Sequence, residues 1–116
     1  MMSIDRHTVS SLAYDEADAL DRDDPIGPGE ILREDFMEPL ELSAAALARA
    51  LDVPANRITA ILKGERGVTA DTALRLARYF GTTAEFWMRL QSEYELRRAR
   101  QSLADKIHRT VSPRVA

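Results

Sequence analysis

The sequence predicts an all-α domain of five helices, the last of them long, preceded by an acidic extension over residues 1–24. Two observations point there. From residue 28 onward, apolar residues recur three and four apart in successive segments, the spacing of one helix face. Between those segments stand residues that start or stop helices, among them Pro39, Ser43, Pro54, Thr69 and Gly81. Residues 25–116 are expected to form one domain, because 116 residues supply one modest core rather than two.

The extension comes first. Leu12, Ala13, Ala17 and Leu20 give residues 11–20 a thin apolar set for a short helix, which the acidic DRDDP stretch ends. Composition of this kind buries too little to offset ordering, so a flexible or weakly helical tail is expected. The functional alternative is a segment that folds on a partner or whose carboxylates cover a basic surface.

Gly27-Pro28-Gly29 opens the domain and leads into a helix over residues 28–37. Ile31, Leu32 and Phe36 form its inward side and Pro39 stops it. After a linker over residues 38–42, the stretch SAAALARALDVPANRITAILK, residues 43–63, reads as two short helices joined by a tight turn. Ser43 caps the first, with Leu42 and Leu47 placed as a hydrophobic staple. Leu47, Ala48 and Leu51 make its inward stripe, Leu51-Asp52-Val53 carries the turn, and Pro54 is expected at the first position of the second helix.

That second helix has two faces. Ile58, Ile61 and Leu62 point inward, while Asn56, Thr59, Ala60 and Lys63 lie opposite at i, i+3, i+4 and i+7. A merely solvated face would carry Glu and Lys, but no acid occurs from Pro54 to Lys63. An amide, a hydroxyl, a methyl and an amine instead suit base edges and phosphates. In a helix-turn-helix, the second helix reads the major groove while the first crosses the backbone. A plain helical hairpin with a polar outer face is the bland alternative.

Gly64-Glu65-Arg66-Gly67 follows as a turn in which both glycines are expected to allow positive φ, with Arg66 at its tip. Thr69 is expected to cap a helix over residues 70–80, with Asp71 in the first turn, where the helix dipole favours an acid. Ala73, Leu74, Leu76, Ala77 and Phe80 are expected inward, Arg75 and Arg78 solvated, and Gly81 terminal. Thr82 or Thr83 then caps the long last helix; Thr82 with Glu85 would make a capping box. Its stripe runs Trp87, Leu90, Tyr94, with Phe86 beside it, and continues through Leu96, Ala99, Leu103 and Ile107. This helix exceeds what a five-helix core needs, so a twofold partner or the N-terminal segment is expected against it. Phe86, Trp87, Leu90 and Tyr94 are the candidate dimer interface, since aromatics dominate such contacts, and ordinary core residues are the alternative for the aromatics among them.

Charge divides along the chain. Residues 1–24 hold seven acids and two bases, a net −5, whereas residues 25–116 hold fourteen bases and twelve acids, a net +2. Residues 49–78 hold six bases against three acids, so the basic excess surrounds the proposed reading helix. It is modest, which favours a dimer sharing the phosphate contacts.

Several classes are disfavoured. No apolar run approaches the roughly 20 residues that span a bilayer, and no signal-peptide core is visible, so a cytoplasmic protein away from membranes is expected. The chain has no cysteine, and its two histidines, His7 and His108, lie near opposite ends. Glu34 and Asp35 are adjacent on a helix and point apart. No glycine-rich phosphate loop, metal cluster or nucleophile motif is present, so no enzyme, cofactor, metal or small-molecule substrate is expected.

From Gly27 to Leu96 the chain resembles a known family. GPGEILREDFMEPLELS, LARALDVPANRITAILK, GERGVTADTALRLARYFG and FWMRLQSEYEL are similar to the HigA-type antitoxins of the Xre-like helix-turn-helix superfamily. The resemblance implies a compact five-helix, lambda-repressor-like domain and a homodimer on an inverted repeat in its own operator. It also implies neutralisation of a HigB-type toxin, a small RelE-like endoribonuclease that cleaves mRNA. Carried over by position, the major-groove readers are Ala55, Asn56, Arg57, Thr59 and Lys63. Phosphate contacts fall on Ser43, Arg66 and Thr69. Arg57 lies at the edge of the exposed face, where pairing with an acid is the alternative.

The chain departs from the family where GPGEIL replaces the frequent HPGEIL, where Asp52 takes a turn position often held by glycine, and in its first 24 residues. Other readings are a free-standing repressor without a toxin and a toxin inhibitor whose reading face is idle.

Overall fold

The protein, seen as a computed structural model, is described over residues 25–115. The expectations for residues 1–24 lie outside the described residues. Among the described residues, five helices follow in chain order. Helix α1 begins at Pro28–Ile31 and runs on as a wider π-helical turn, Leu32–Met37. Helices α2 and α3 are Ala44–Leu51 and Ala55–Leu62, α4 is Ala70–Phe80, and α5 is Ala84–Thr110.

The π turn was not legible in the sequence. The Glu38 N–H reaches back five residues to the Arg33 carbonyl at 2.9 Å. Adding a residue to the turn brings Leu32, Phe36 and Met37 round to one side. Leu32 and Met37 are buried, and the Phe36 ring stands 5.0 Å from both Phe80 and Trp87.

The core is one cluster drawn from every helix: Leu32 and Met37, Leu47, Ala48 and Leu51, Ile58 and Ile61, Ala73 and Leu76, and Trp87, with Val68 from the loop ahead of α4. Trp87 is 0% exposed and its Nε1–H donates to the Thr82 hydroxyl at 2.8 Å. Its indole therefore has no surface left to give a partner molecule, which removes it from the expected dimer interface. Phe86, Leu90 and Tyr94 are half-buried around it.

Other expectations need correction. Leu74 points outward, 63% exposed, and Thr72 takes the inward position instead. Helical phase explains it, because residues 69, 72, 73 and 76 fall on one face and 74 falls nearly opposite. Thr69 occupies the N-cap of α4, but its hydroxyl makes no capping bond. The cap of α5 is Thr83, whose hydroxyl accepts the Phe86 N–H at 3.1 Å. Thr82 serves Trp87 instead.

The C-terminal half of α5 leaves the core altogether. Leu96, Leu103 and Ile107 are 50%, 43% and 48% exposed on a helix that no other described element covers there.

Candidate nucleic-acid interface

Helices α2 and α3 form the expected pair. Ser43 caps α2, its hydroxyl accepting the Ala46 N–H at 3.1 Å. Asp52 ends α2 in the left-handed conformation at φ 59°, and the Val53 N–H returns to the Ala48 carbonyl at 3.0 Å. Asp is among the non-glycine residues that tolerate this region. Pro54 stands one place earlier than expected: with ψ 146° it is the N-cap of α3, and the helix starts at Ala55.

Within α3, Ile58 and Ile61 are buried and Leu62 half-buried. Ala55, Asn56, Thr59 and Lys63 are exposed, Arg57 and Ala60 half-buried. The Thr59 hydroxyl donates to the Asn56 carbonyl at 3.3 Å, which commits its hydrogen and leaves its oxygen able to accept. The outer face thus presents an amide, a hydroxyl oxygen, methyl groups and an ammonium, with no carboxylate among them.

Three contacts fix the attitude of α3. Its N-terminal half is tied through Arg57, whose Nη1 donates to Asp71 Oδ2 of α4 at 2.6 Å. Asp71 also accepts from Arg75 Nε at 3.2 Å, and Arg75 Nη1 donates to the Leu51 and Asp52 carbonyls at 2.8 and 3.2 Å. One carboxylate therefore joins α4 to both the reading helix and the turn before it. Hydrogen bonds from Arg57, then from Arg75, hold the Asp71 carboxyl below its ordinary value. This network corrects the expectation that Arg75 is merely solvated, and it places Arg57 on the acid-paired alternative. The C-terminal end of α3 is held by α1. Arg33 Nη2 donates to the Leu62 carbonyl at 2.7 Å, satisfying one of the acceptors that a helix end leaves open. Gly29 lies against the same end, where a Cβ would come 2.2 Å from the Ile61 carbonyl oxygen. Arg33, Gly29, Asp71 and Arg75 were missed because their partners are backbone atoms or residues of other helices, which local periodicity does not register.

The loop after α3 is also built rather than slack. Gly64 takes φ 77°, as expected, but Gly67 does not have positive φ. Gly67 is small for another reason: a Cβ would meet Gln91 Nε2 at 2.8 Å. Buried Gln91 accepts the Val68 N–H at 2.8 Å and so anchors the loop to α5. Lys63 and Arg66 stand exposed on either side of Gly64, and no described acid lies within ion-pair distance of them. Ser43 and Thr69 are exposed at the N-termini of α2 and α4. Among the described residues no group of His, Cys, Asp or Glu could hold a metal ion, and no helix is long and apolar enough to cross a membrane.

A capped helix, a left-handed turn, and a second helix offering an acid-free polar face define a protein of the helix-turn-helix class, and the helix-turn-helix family pattern matches residues 34–87. The chain is 55% identical over 76 residues to virulence-associated protein I of Dichelobacter nodosus, covering 66% of this chain and 70% of that one. It is 38% identical over 73 residues to antitoxin HigA-1 of Vibrio cholerae, covering 62% and 68% respectively. Among solved structures, it is similar to the Pseudomonas aeruginosa antitoxin HigA with higBA promoter, at 48% identity, TM-score 0.75, and coverage of 78% of this chain and 99% of that one. The chain belongs to the HigA family of the Xre-like helix-turn-helix superfamily, a class of DNA-binding regulators rather than enzymes.

Proposed function

We propose that this protein is an antitoxin that represses its own operon. It binds an inverted-repeat operator as a homodimer and neutralises a HigB-type, RelE-like mRNA endoribonuclease by direct contact in the cytoplasm. The observation that carries the DNA half is the exposed, acid-free face of α3, held in place by Arg57, Asp71 and Arg33. Ala55, Asn56 and Thr59 read base edges there, and Lys63, at the far end of the face, contacts phosphate. Arg57 stays on Asp71 or exchanges that bond for the DNA. Ser43, Arg66 and Thr69 contact phosphates, which suits their exposure at helix starts and on the loop. The similar Pseudomonas antitoxin HigA with higBA promoter supports the same use of the fold.

The dimer is supported by the uncovered line Leu96, Leu103, Ile107 on α5 and by half-buried Phe86, Leu90 and Tyr94. Two reading helices related by a twofold axis then meet half-sites about one helical turn apart, roughly 34 Å. The toxin half rests on family membership and is tested separately. The product of the neighbouring gene is mixed with this protein, and the complex is followed by size exclusion alongside cleavage of a reporter mRNA. A stable complex that stops cleavage is the expected result. A toxin that still cleaves in the presence of excess protein would leave a lone repressor.

A further inference from the structure

The cations around α3 fall into two groups. Lys63 and Arg66, at its C-terminal end, are exposed, with no described acid within ion-pair distance. Arg57, in its first turn, is instead held back by Asp71, at 2.6 Å from Nη1 to Oδ2. Its side chain is 22% exposed, against 53% for that of Asp71. This seat can be vacated at small cost. Arg57 Nε is buried in it and meets no acceptor among the described residues, so leaving frees a donor that has no hydrogen bond to lose. Asp71 keeps a partner, because Arg75 Nε lies 3.2 Å from both of its oxygens, and its exposure leaves the rest to water. Helix α3 also keeps its attitude. Ile58 and Ile61 stay in the core, Arg75 still holds the Leu51 and Asp52 carbonyls, and Arg33 still holds that of Leu62.

A phosphate offers the guanidinium what Asp71 already gives it, an anionic oxygen. A guanine edge in the groove offers two acceptors side by side, the pair that arginine bridges best. We propose that Asp71 is a specificity-determining residue, withholding Arg57 from DNA until a guanine edge outcompetes it. A sequence with no such acceptor in place leaves Arg57 on Asp71, so random DNA meets the free cations, Lys63 and Arg66. A guanine at the matching position draws Arg57 across, and Asp71 falls back on Arg75. Asp71 thereby widens the gap between operator and random DNA without touching either. The proposal rests on the reading of α3 as the sequence reader.

The test titrates the full chain, Asp71→Asn, Arg57→Gln and the double variant onto two duplexes, with helix content checked by circular dichroism. One duplex is the sequence immediately upstream of the gene, the other a scrambled version of it. Asp71→Asn is expected to bind the scrambled duplex about three- to tenfold tighter than the unsubstituted chain, with a smaller gain on the upstream one. Arg57→Gln is expected to lose about tenfold or more on the upstream duplex and to stay within about twofold on the scrambled one. In the double variant the gain on scrambled DNA should vanish. A gain that persists there is a general charge effect and would overturn the proposal. Two variants that both weaken upstream binding, with no gain on scrambled DNA, would also overturn it, as residues that only support α3. So would an Arg57→Gln loss as large on scrambled DNA as on the upstream duplex, which would put Arg57 on phosphates from the start. An unsubstituted chain with no preference for the upstream duplex would overturn the reading of α3 itself, and the proposal with it.

Discussion

Each exposed side chain on α3 is expected to fail in its own way when removed. Asn56 is exposed in the first turn of the helix and is suited to a bidentate adenine contact. Asn56→Ala should weaken operator binding by about 1–3 kcal/mol and relax specificity at one base pair, read from a panel of single-substituted operators. Lys63→Ala should weaken every duplex alike and flatten the salt dependence by about 0.9 in slope, because one counterion fewer is released. Arg57 differs from both, since its partner is inside the protein. Asp71 has its pKa lowered by hydrogen bonds from Arg57 and then Arg75, so it favours the folded state when ionised. Its stabilising effect is present above the unfolded-state carboxylate pKa and is lost as pH falls through the lower folded value. Urea denaturation from neutral pH down to about pH 2 should therefore show an acid-side loss of stability that Asp71→Asn partly removes. An unchanged profile in that variant would mean that the three-residue network does not couple folding to protonation.

At the scale of the helices, what was legible in the sequence was whatever is local. Ser43 as a cap, Asp52 in a left-handed turn, the inward set of α3 and the stop at Gly81 all depend on residues within four positions of one another. The π turn of α1 depends on what the neighbouring helices offer and was not legible, whereas the outward Leu74 follows from helical phase, and Trp87 stood open between core and interface until its burial was seen. The same division runs through the site: the exposed, acid-free face of α3 was visible, but the supports behind it were not. Gly29 shows why. Its sequence context suggests a helix opening, whereas its structural reason is the Ile61 carbonyl, 2.2 Å from where a Cβ would stand. Gly29→Ala must push α1 away from the reading helix, and a destabilisation of about 1–3 kcal/mol is expected in chemical denaturation. Operator affinity should fall with it even though residue 29 never meets DNA. Retained stability and affinity would show that the α1–α3 contact relaxes without moving the reader.

For the whole molecule, the proposed dimer would account at once for the weak basic excess and for the uncovered half of α5, because two chains would share the work. A single chain offers few phosphate contacts, and affinity depends steeply on how many phosphates are neutralised together. Leu103→Asp with Ile107→Asp lies outside the core, so the domain should stay folded, while sedimentation should report a monomer and operator affinity should drop. A variant that remains dimeric would move the interface to Phe86, Leu90 and Tyr94.

If α3 reads a particular DNA sequence and that reading is linked to a toxin, binding to the upstream DNA must depend on both. The most direct measurement is fluorescence anisotropy on the duplex immediately upstream of the gene, against a scrambled duplex, at several salt concentrations, with and without the neighbouring gene's product. Tight, sequence-dependent binding that changes when that product is added is the expected result. Equal affinity for the scrambled duplex would contradict it.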